Sequence, residues 1–197
     1  MTAILISEKA KAAHAIAEGL GSIQPIKVNK FLTIYYVKNR DLYVIPLRGH
    51  IMKYENSAAF AKWGASDPRE IILQQNAIEK KPADYAGTYI KALKDYAKQA
   101  DLCIIGTDAD IVGCNIGIMD ALPFVQMVKP GILVKQIWLN DLQKSSIQNA
   151  FQNLIPPKYE WAHSGEARAI IDAVIGFAAT REVTLTLKPV LKAIEVK

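Results

Sequence analysis

Two rhythms of hydrophobic positions alternate along this chain: short unbroken apolar runs, and longer stretches with apolar residues three and four apart. Ala3-Ile4-Leu5-Ile6 is a run of the first kind, and Ser7-Glu8-Lys9 and an alanine-rich stretch to Leu20 follow it directly. The pattern predicts a buried strand, a turn, then a helix ending at Gly19 or Gly21. Residues 31–37 and 42–46 are rich in β-branched and aromatic side chains. With Asn39-Arg40-Asp41 between them, they predict a hairpin. Residues 51–82 lack clear periodicity and predict loops with one or two short helices.

Residues 84–98 place Tyr85, Tyr89, Leu93 and Tyr96 on one helical face and Lys91, Lys94 and Lys98 on another. The lysines suit a solvated face or, alternatively, a stripe that tracks phosphates. Leu102-Cys103-Ile104-Ile105-Gly106 predicts a second buried strand, Thr107-Asp108-Ala109-Asp110 a turn, and residues 113–122 a helix. Residues 133–139 predict a third core strand, and Ile147, Ala150, Phe151 and Leu154 the inner face of another helix. Pro156-Pro157 is the clearest break. Beyond it a helix over residues 158–180 is expected, with Ile170, Ile171, Val174, Ile175 and Ala178 turned inward. The fold class is therefore α/β, a parallel-rich sheet covered by helices over residues 1–155, with a helical appendage over 156–197.

Composition narrows the function classes. Of 197 residues, 51% are hydrophobic and 22% charged, which fits a folded chain rather than a disordered one. No run of eighteen uncharged apolar residues predicts a membrane span, and the first residues do not read as a signal peptide. The only cysteines, Cys103 and Cys114, argue against a disulfide framework or a structural zinc. A cytoplasmic location is expected. Lys and Arg outnumber Asp and Glu by 24 to 19, a net charge of +5 that suits a polyanionic partner.

In open α/β sheets, ligands bind beyond the carboxyl ends of the strands. Two predicted core strands run into ionisable residues there, Glu8 and Lys9 after the first and Asp108 and Asp110 after the later one. If those strands are neighbours, three carboxylates and an ammonium converge. Asp108 and Asp110 would then share a hard cation such as Mg²⁺ and Lys9 would meet a phosphate oxygen. The plainer alternative is that such acids cap the following helix.

Several of these stretches together resemble type IA DNA topoisomerases, nearest the topoisomerase III and archaeal forms. Ser7-Glu8-Lys9-Ala10-Lys11-Ala12-Ala13 is similar to their opening motif, and Arg48-Gly49-His50-Ile51-Met52 to their Gly-His loop. Gly106-Thr107-Asp108-Ala109-Asp110-Ile111-Val112-Gly113 resembles the T-D-x-D-x-E-G motif of the wider TOPRIM superfamily. Residues 138–154 resemble the stretch that follows the TOPRIM core. Ala162-His163-Ser164-Gly165-Glu166-Ala167-Arg168, with Asp172, Gly176 and Arg181, resembles a later helix of the topoisomerases in particular.

The resemblance implies a TOPRIM fold with Glu8 as general acid near a phosphate, Lys9 as a phosphate contact, and Asp108 and Asp110 as Mg²⁺ ligands. It also implies nucleic-acid contacts for Lys11, Arg48, His50, Ser164, Arg168 and Asp172. Arg168 and Asp172 also suit a plain surface ion pair. His14 reads as a helix-surface residue, and Trp63 and Trp161 as packing or base-stacking side chains. Two departures weigh on function. Val112 stands where the family has its third acid, so Mg²⁺ would bind more weakly. None of the eight tyrosines lies in a sequence like the family's tyrosine motif.

The expected function is binding of a nucleic-acid backbone, DNA or structured RNA, within a larger nucleoprotein complex and without strand passage on its own. The alternatives are the TOPRIM subunit of a split topoisomerase, completed by a tyrosine-bearing chain, and a small nuclease using Asp108 and Asp110.

Overall fold

The computed structural model describes residues 1–195, with side chains described through residue 188. By internal packing the chain divides into two compact units, residues 1–52 with 82–166, and residues 53–81 with the chain from Ala167 onward.

In the first unit the opening apolar run forms β1 (Ala3–Ser7), followed by α1 (Ala10–Leu20), β2 (Ile23–Lys27), β3 (Thr33–Val37) and β4 (Leu42–Pro46). Strand β5 (Met52–Asn56), helix α2 (Glu70–Leu73) and strand β6 (Ile78–Pro82) belong mainly to the second unit. The first unit resumes with α3 (Gly87–Ala97) and β7 (Leu102–Gly106). One continuous helix follows, made of α4 (Ile111–Cys114), a π-helical stretch (Asn115–Ala121) and α5 (Leu122–Val128). Then come β8 (Leu133–Gln136), α6 (Lys144–Gln152) and α7 (Tyr159–Glu195), which passes from the first unit into the second.

The main sheet has strand order β2-β3-β4-β1-β7-β8. β1 pairs in parallel with both β4 and β7, and β7 with β8, whereas β2, β3 and β4 are joined antiparallel. The parallel-rich sheet and the hairpin predicted from the sequence are both present. Period-two alternation along β1 splits the core between the two faces of the sheet. Ile4 and Ile6 join Ile45, Cys103 and Ile105 beneath α3 and the central helix, while Ala3 and Leu5 join Val44 and Ile104 beneath α1 and α6.

The central helix has the length and apolar composition of a membrane span over Ile111–Val128, but over half of that stretch is buried inside the protein. It serves as a core helix. Burial also pushes the thiol of Cys103 up to about 12, and Cys103 and Cys114 are both free.

Three expectations need correction. Residues 51–82 contain β5 and β6, paired as a small second sheet. Their sequences, Met-Lys-Tyr-Glu-Asn and Ile-Glu-Lys-Lys-Pro, offer no apolar alternation to read. β2 was also missed: it is an edge strand, has no buried residue and contains Pro25, which an edge tolerates. Finally, Ile170, Ile171 and Ile175 are exposed, while Val174 and Ala178 do turn inward to pack with Phe60, Ile71 and Ala77. In that unit Arg181 is buried, donates to the Phe60 carbonyl at 2.5 Å and lies over the Trp63 ring.

Asp41, at φ 46°, closes the β3–β4 connection in the left-handed region. Its carboxylate accepts from the Thr2 hydroxyl at 2.6 Å and the Tyr36 hydroxyl at 3.1 Å. The Thr2 bond is the main reason this carboxyl titrates below the ordinary Asp range. Desolvation opposes it, and the Tyr36 bond and N-terminal charge assist.

A carboxyl depressed by folding contributes stability above its unfolded pKa, about 3.9, and loses it as pH falls through the folded value. Asp41→Asn, which tolerates the left-handed backbone, should therefore be less stable than the parent at neutral pH. The gap should narrow on acidification below pH of about 4. Urea melts at stepped pH measure this, and a gap that widened toward acid would contradict it.

Candidate functional site

The parallel register sets Ser7 opposite both Pro46 and Gly106, so β1, β4 and β7 leave the sheet along one edge. The loop after β4 stays attached beyond the strands. Leu47 N–H donates to the Ser7 carbonyl at 2.8 Å and Gly49 N–H to the Glu8 carbonyl at 3.0 Å. Gly49 has φ +76°, a conformation that favours glycine.

At this rim the Lys9 ammonium lies 2.7 Å from Glu8 Oε1 and 3.5 Å from Asp108 Oδ2. The Glu8 side chain is only 7% exposed, against 62% for Lys9 and 50% for Asp108. A carboxylate so nearly buried needs a partner, and Lys9 supplies one. The reverse effect raises the Lys9 pKa, through the hydrogen bond and charge of Glu8 first and the charge of Asp108 next. The structure thus brings Glu8, Lys9 and Asp108 together.

Residues 107–113 are folded by their own side chains. The Thr107 hydroxyl donates to the Gly113 carbonyl at 2.6 Å, and Asp110 Oδ1 accepts from Gly113 N–H at 2.6 Å. Asp110 is therefore the N-cap of α4, which is the plainer role the sequence left open for it. Its other oxygen is not used by the cap. A Cβ at Gly113 would stand 2.2 Å from the Asp108 carbonyl oxygen, so only glycine lets the loop close this tightly. Val112 is 39% exposed in the first turn of α4.

The remaining predicted residues fall in different places. Lys11 is exposed on the first turn of α1, and Arg48 is exposed on the rim loop after β4, with its guanidinium over the Tyr85 ring. His50 Nδ1 is 2.8 Å from Asp120 Oδ2, a carboxylate 1% exposed in the π-helical stretch. His50 is thus tied to the central helix. Ser164 is exposed near the start of α7, where Asn115 Nδ2 anchors that helix by donating to the Ala162 carbonyl at 3.4 Å and to Glu166 at 2.7 Å. Arg168 and Asp172 belong to the second unit and form an exposed pair 3.6 Å apart. Sequence reasoning missed Asp120, although an acid within the apolar run of residues 116–125 was a signal for it. It also missed Phe31, 66% exposed at the tip of the β2–β3 connection.

Two clefts flank the Lys9 cluster, and their charges differ. One, of about 300 Å³, lies between the 106–110 loop and residues 139–142 and is lined by Asp108, Asp110 and Asp141. The other, of about 530 Å³, lies toward β4 and is lined by Lys9, Arg48, Phe31 and Tyr89, with no acid in its wall. The rim therefore has a cation-attracting side and an anion-attracting side.

The resemblance to the TOPRIM superfamily implies Mg²⁺ at this rim. Among the described residues no group of three or more His, Cys, Asp or Glu side chains is arranged around a metal position. Asp108 and Asp110 still fit this ion in the way it is often held, by one or two carboxylates, with waters and substrate phosphates completing the shell. They are the residues that would hold it, and it would supply positive charge to a phosphate oxygen.

The fold and this rim define the class. A family model described as Toprim domain matches residues 3–137, and the chain belongs to that family. Its relatives include proteins named DNA topoisomerase 1 and DNA topoisomerase 3-alpha. The chain is 28% identical over 186 residues to DNA topoisomerase 1 of Archaeoglobus fulgidus, 31% identical over 189 residues to DNA topoisomerase 1 of Pyrococcus furiosus, and 27% identical over 194 residues to human DNA topoisomerase 3-alpha. Each match covers 94% of this chain but only 27%, 17% and 19% of the respective relative.

Gly113→Ala tests the loop. It should lower unfolding free energy by about 1–3 kcal/mol and raise the mobility of Asp108. Urea denaturation and amide exchange of residues 107–114 measure the two effects, and an unchanged stability would contradict the close packing.

Proposed function

We propose that this chain binds the phosphate backbone of a nucleic acid at the Lys9 rim and does not pass strands by itself. The observation that carries this reading is the ammonium of Lys9, held by Glu8 and Asp108 at the edge where three parallel-paired strands end. The N-terminus of α1 adds to it. That helix has no side-chain cap and no acid in its first turn, so its free N–H groups and dipole favour an anion. The acid-free cleft beside Lys9 supports the same reading. Roles follow from position within the first unit: Lys9 meets the phosphate, Lys11 and Arg48 hold neighbouring phosphates, and Ser164 makes a further contact, while the exposed Arg168 and Asp172 are contacts proposed for the second unit by itself. His50 acts by holding the rim loop. DNA is the nucleic acid named for the relatives, and the host would be a larger nucleoprotein complex.

A second reading rests on Glu8. Nearly buried and 2.7 Å from Lys9, it is kept where a general acid for a scissile phosphate would stand. On that reading the chain is the Toprim subunit or fragment of a split topoisomerase that needs a separate tyrosine-bearing chain. Mg²⁺ binding at Asp108 and Asp110 is weakened on either reading, because Val112 supplies neither charge nor a ligand.

Titration of a labelled single strand at stepped salt, read by anisotropy, tests the first reading. Affinity should fall linearly on a logarithmic salt scale, and Lys9→Ala should flatten the slope by about 0.7. Supercoiled plasmid should stay supercoiled with or without Mg²⁺. Relaxation by the 197-residue polypeptide alone, or binding indifferent to salt, would overturn the proposal. For the metal, Val112→Glu should tighten Mg²⁺ binding measured by calorimetry, and identical heats for parent and variant would count against the two-carboxylate site.

A further inference from the structure

We infer that the groove running from Lys9 past Phe31 to Tyr85 is a base-stacking subsite. It would take the unpaired nucleobase next to the phosphate held at Lys9. This rests on the phosphate-binding reading and adds to it a contact to the base beside that phosphate.

The groove is built rather than incidental. The cleft of about 530 Å³ beside Lys9 and a second of about 350 Å³ share Phe31, Arg48 and Tyr89 in their walls, so they join into one trough. Each volume lies in the range of small-ligand sites. Phe31 is among the most exposed large hydrophobic side chains of the protein, yet its backbone is fixed. Asn29 Oδ1 accepts from Phe31 N–H at 2.8 Å and from Leu32 N–H at 2.9 Å. Asn29 Nδ2 reaches Thr88 Oγ1 at 3.3 Å, tying the β2–β3 tip to the start of α3. A turn whose backbone is already pinned has little main-chain freedom left to lose on binding, which favours stacking on the ring it carries.

Charge and ring chemistry point to the occupant. Lys30 lies 4.7 Å from the Phe31 ring centre, and the Arg48 guanidinium 5.2 Å from that of Tyr85. Aromatic faces accompanied by cations, beside a phosphate-seeking ammonium, match one nucleotide of a polyanion: the base to the ring, the backbone to the cations. Asp84 is the one acid in the trough's lining. A base within a duplex has both faces covered by its neighbours, so only an unpaired base can use this platform.

Three probes separate the possibilities by anisotropy: an oligothymidine, an abasic strand of equal length, and a duplex. The parent should bind oligothymidine more tightly than either of the others. Phe31→Ala should weaken oligothymidine binding roughly five- to a hundredfold and leave the abasic strand unchanged. Phe31→Tyr, which keeps the ring, should bind as the parent does and so separates stacking from misfolding. Equal binding of the three probes by the parent, or an unaltered Phe31→Ala, would overturn the subsite. If Lys9→Ala still weakened every probe, the phosphate reading would survive that result. Failure of the parent to bind any probe would sink both.

Discussion

The site depends on the register of one strand. β1 is paired along its whole length to β4 on one side and β7 on the other, residue for residue in the same direction. A slip of one residue would send Ile4 and Ile6 to the face now filled by Ala3 and Leu5, so burial on both faces fixes the register. The same register delivers Glu8, Lys9 and the 107–113 loop to one edge. Packing interactions with no part in ligand chemistry therefore determine where the charged groups meet.

Much of this could be read from the sequence because it lies in the most apolar part of the chain. β1, β4 and β7 are nearly continuous hydrophobic runs, and the residues that follow them emerge together at the rim. The meeting of Glu8, Lys9 and Asp108 followed from that reading. β5 and β6 escaped it because a small, polar, two-stranded sheet leaves no period in hydrophobicity. The exposed Ile170, Ile171 and Ile175 show the opposite failure: a helical stripe reveals an apolar face but not whether anything covers it. The division of labour between the two aspartates was also hidden. Asp108 and Asp110 look equivalent in sequence, and only the Gly113 N–H contact shows that one of them is committed to the backbone.

The two flanks of the rim give it a direction. Acidic side chains gather toward β8, and basic and aromatic ones toward β4, with the Lys9 cluster at the boundary. A dipolar ligand, or an anion carrying a counter-cation, meets complementary charge in only one orientation on such an edge. The orientation is imposed by strand order, because β4 and β7 lie on opposite sides of β1.

The N-cap at Asp110 would couple two equilibria if a divalent ion bound at this carboxylate. Its Oδ1 closes the first turn of α4, and that turn continues through the π-helical stretch into the buried Asp120 that holds His50. A divalent ion recruiting this carboxylate must share it with the helix start or draw it away. Occupancy at the acidic flank would then be felt as fraying or tightening along a helix whose far side steadies the Gly-His loop. Linkage makes that influence mutual: whatever stiffens the loop would also alter the hold on the ion.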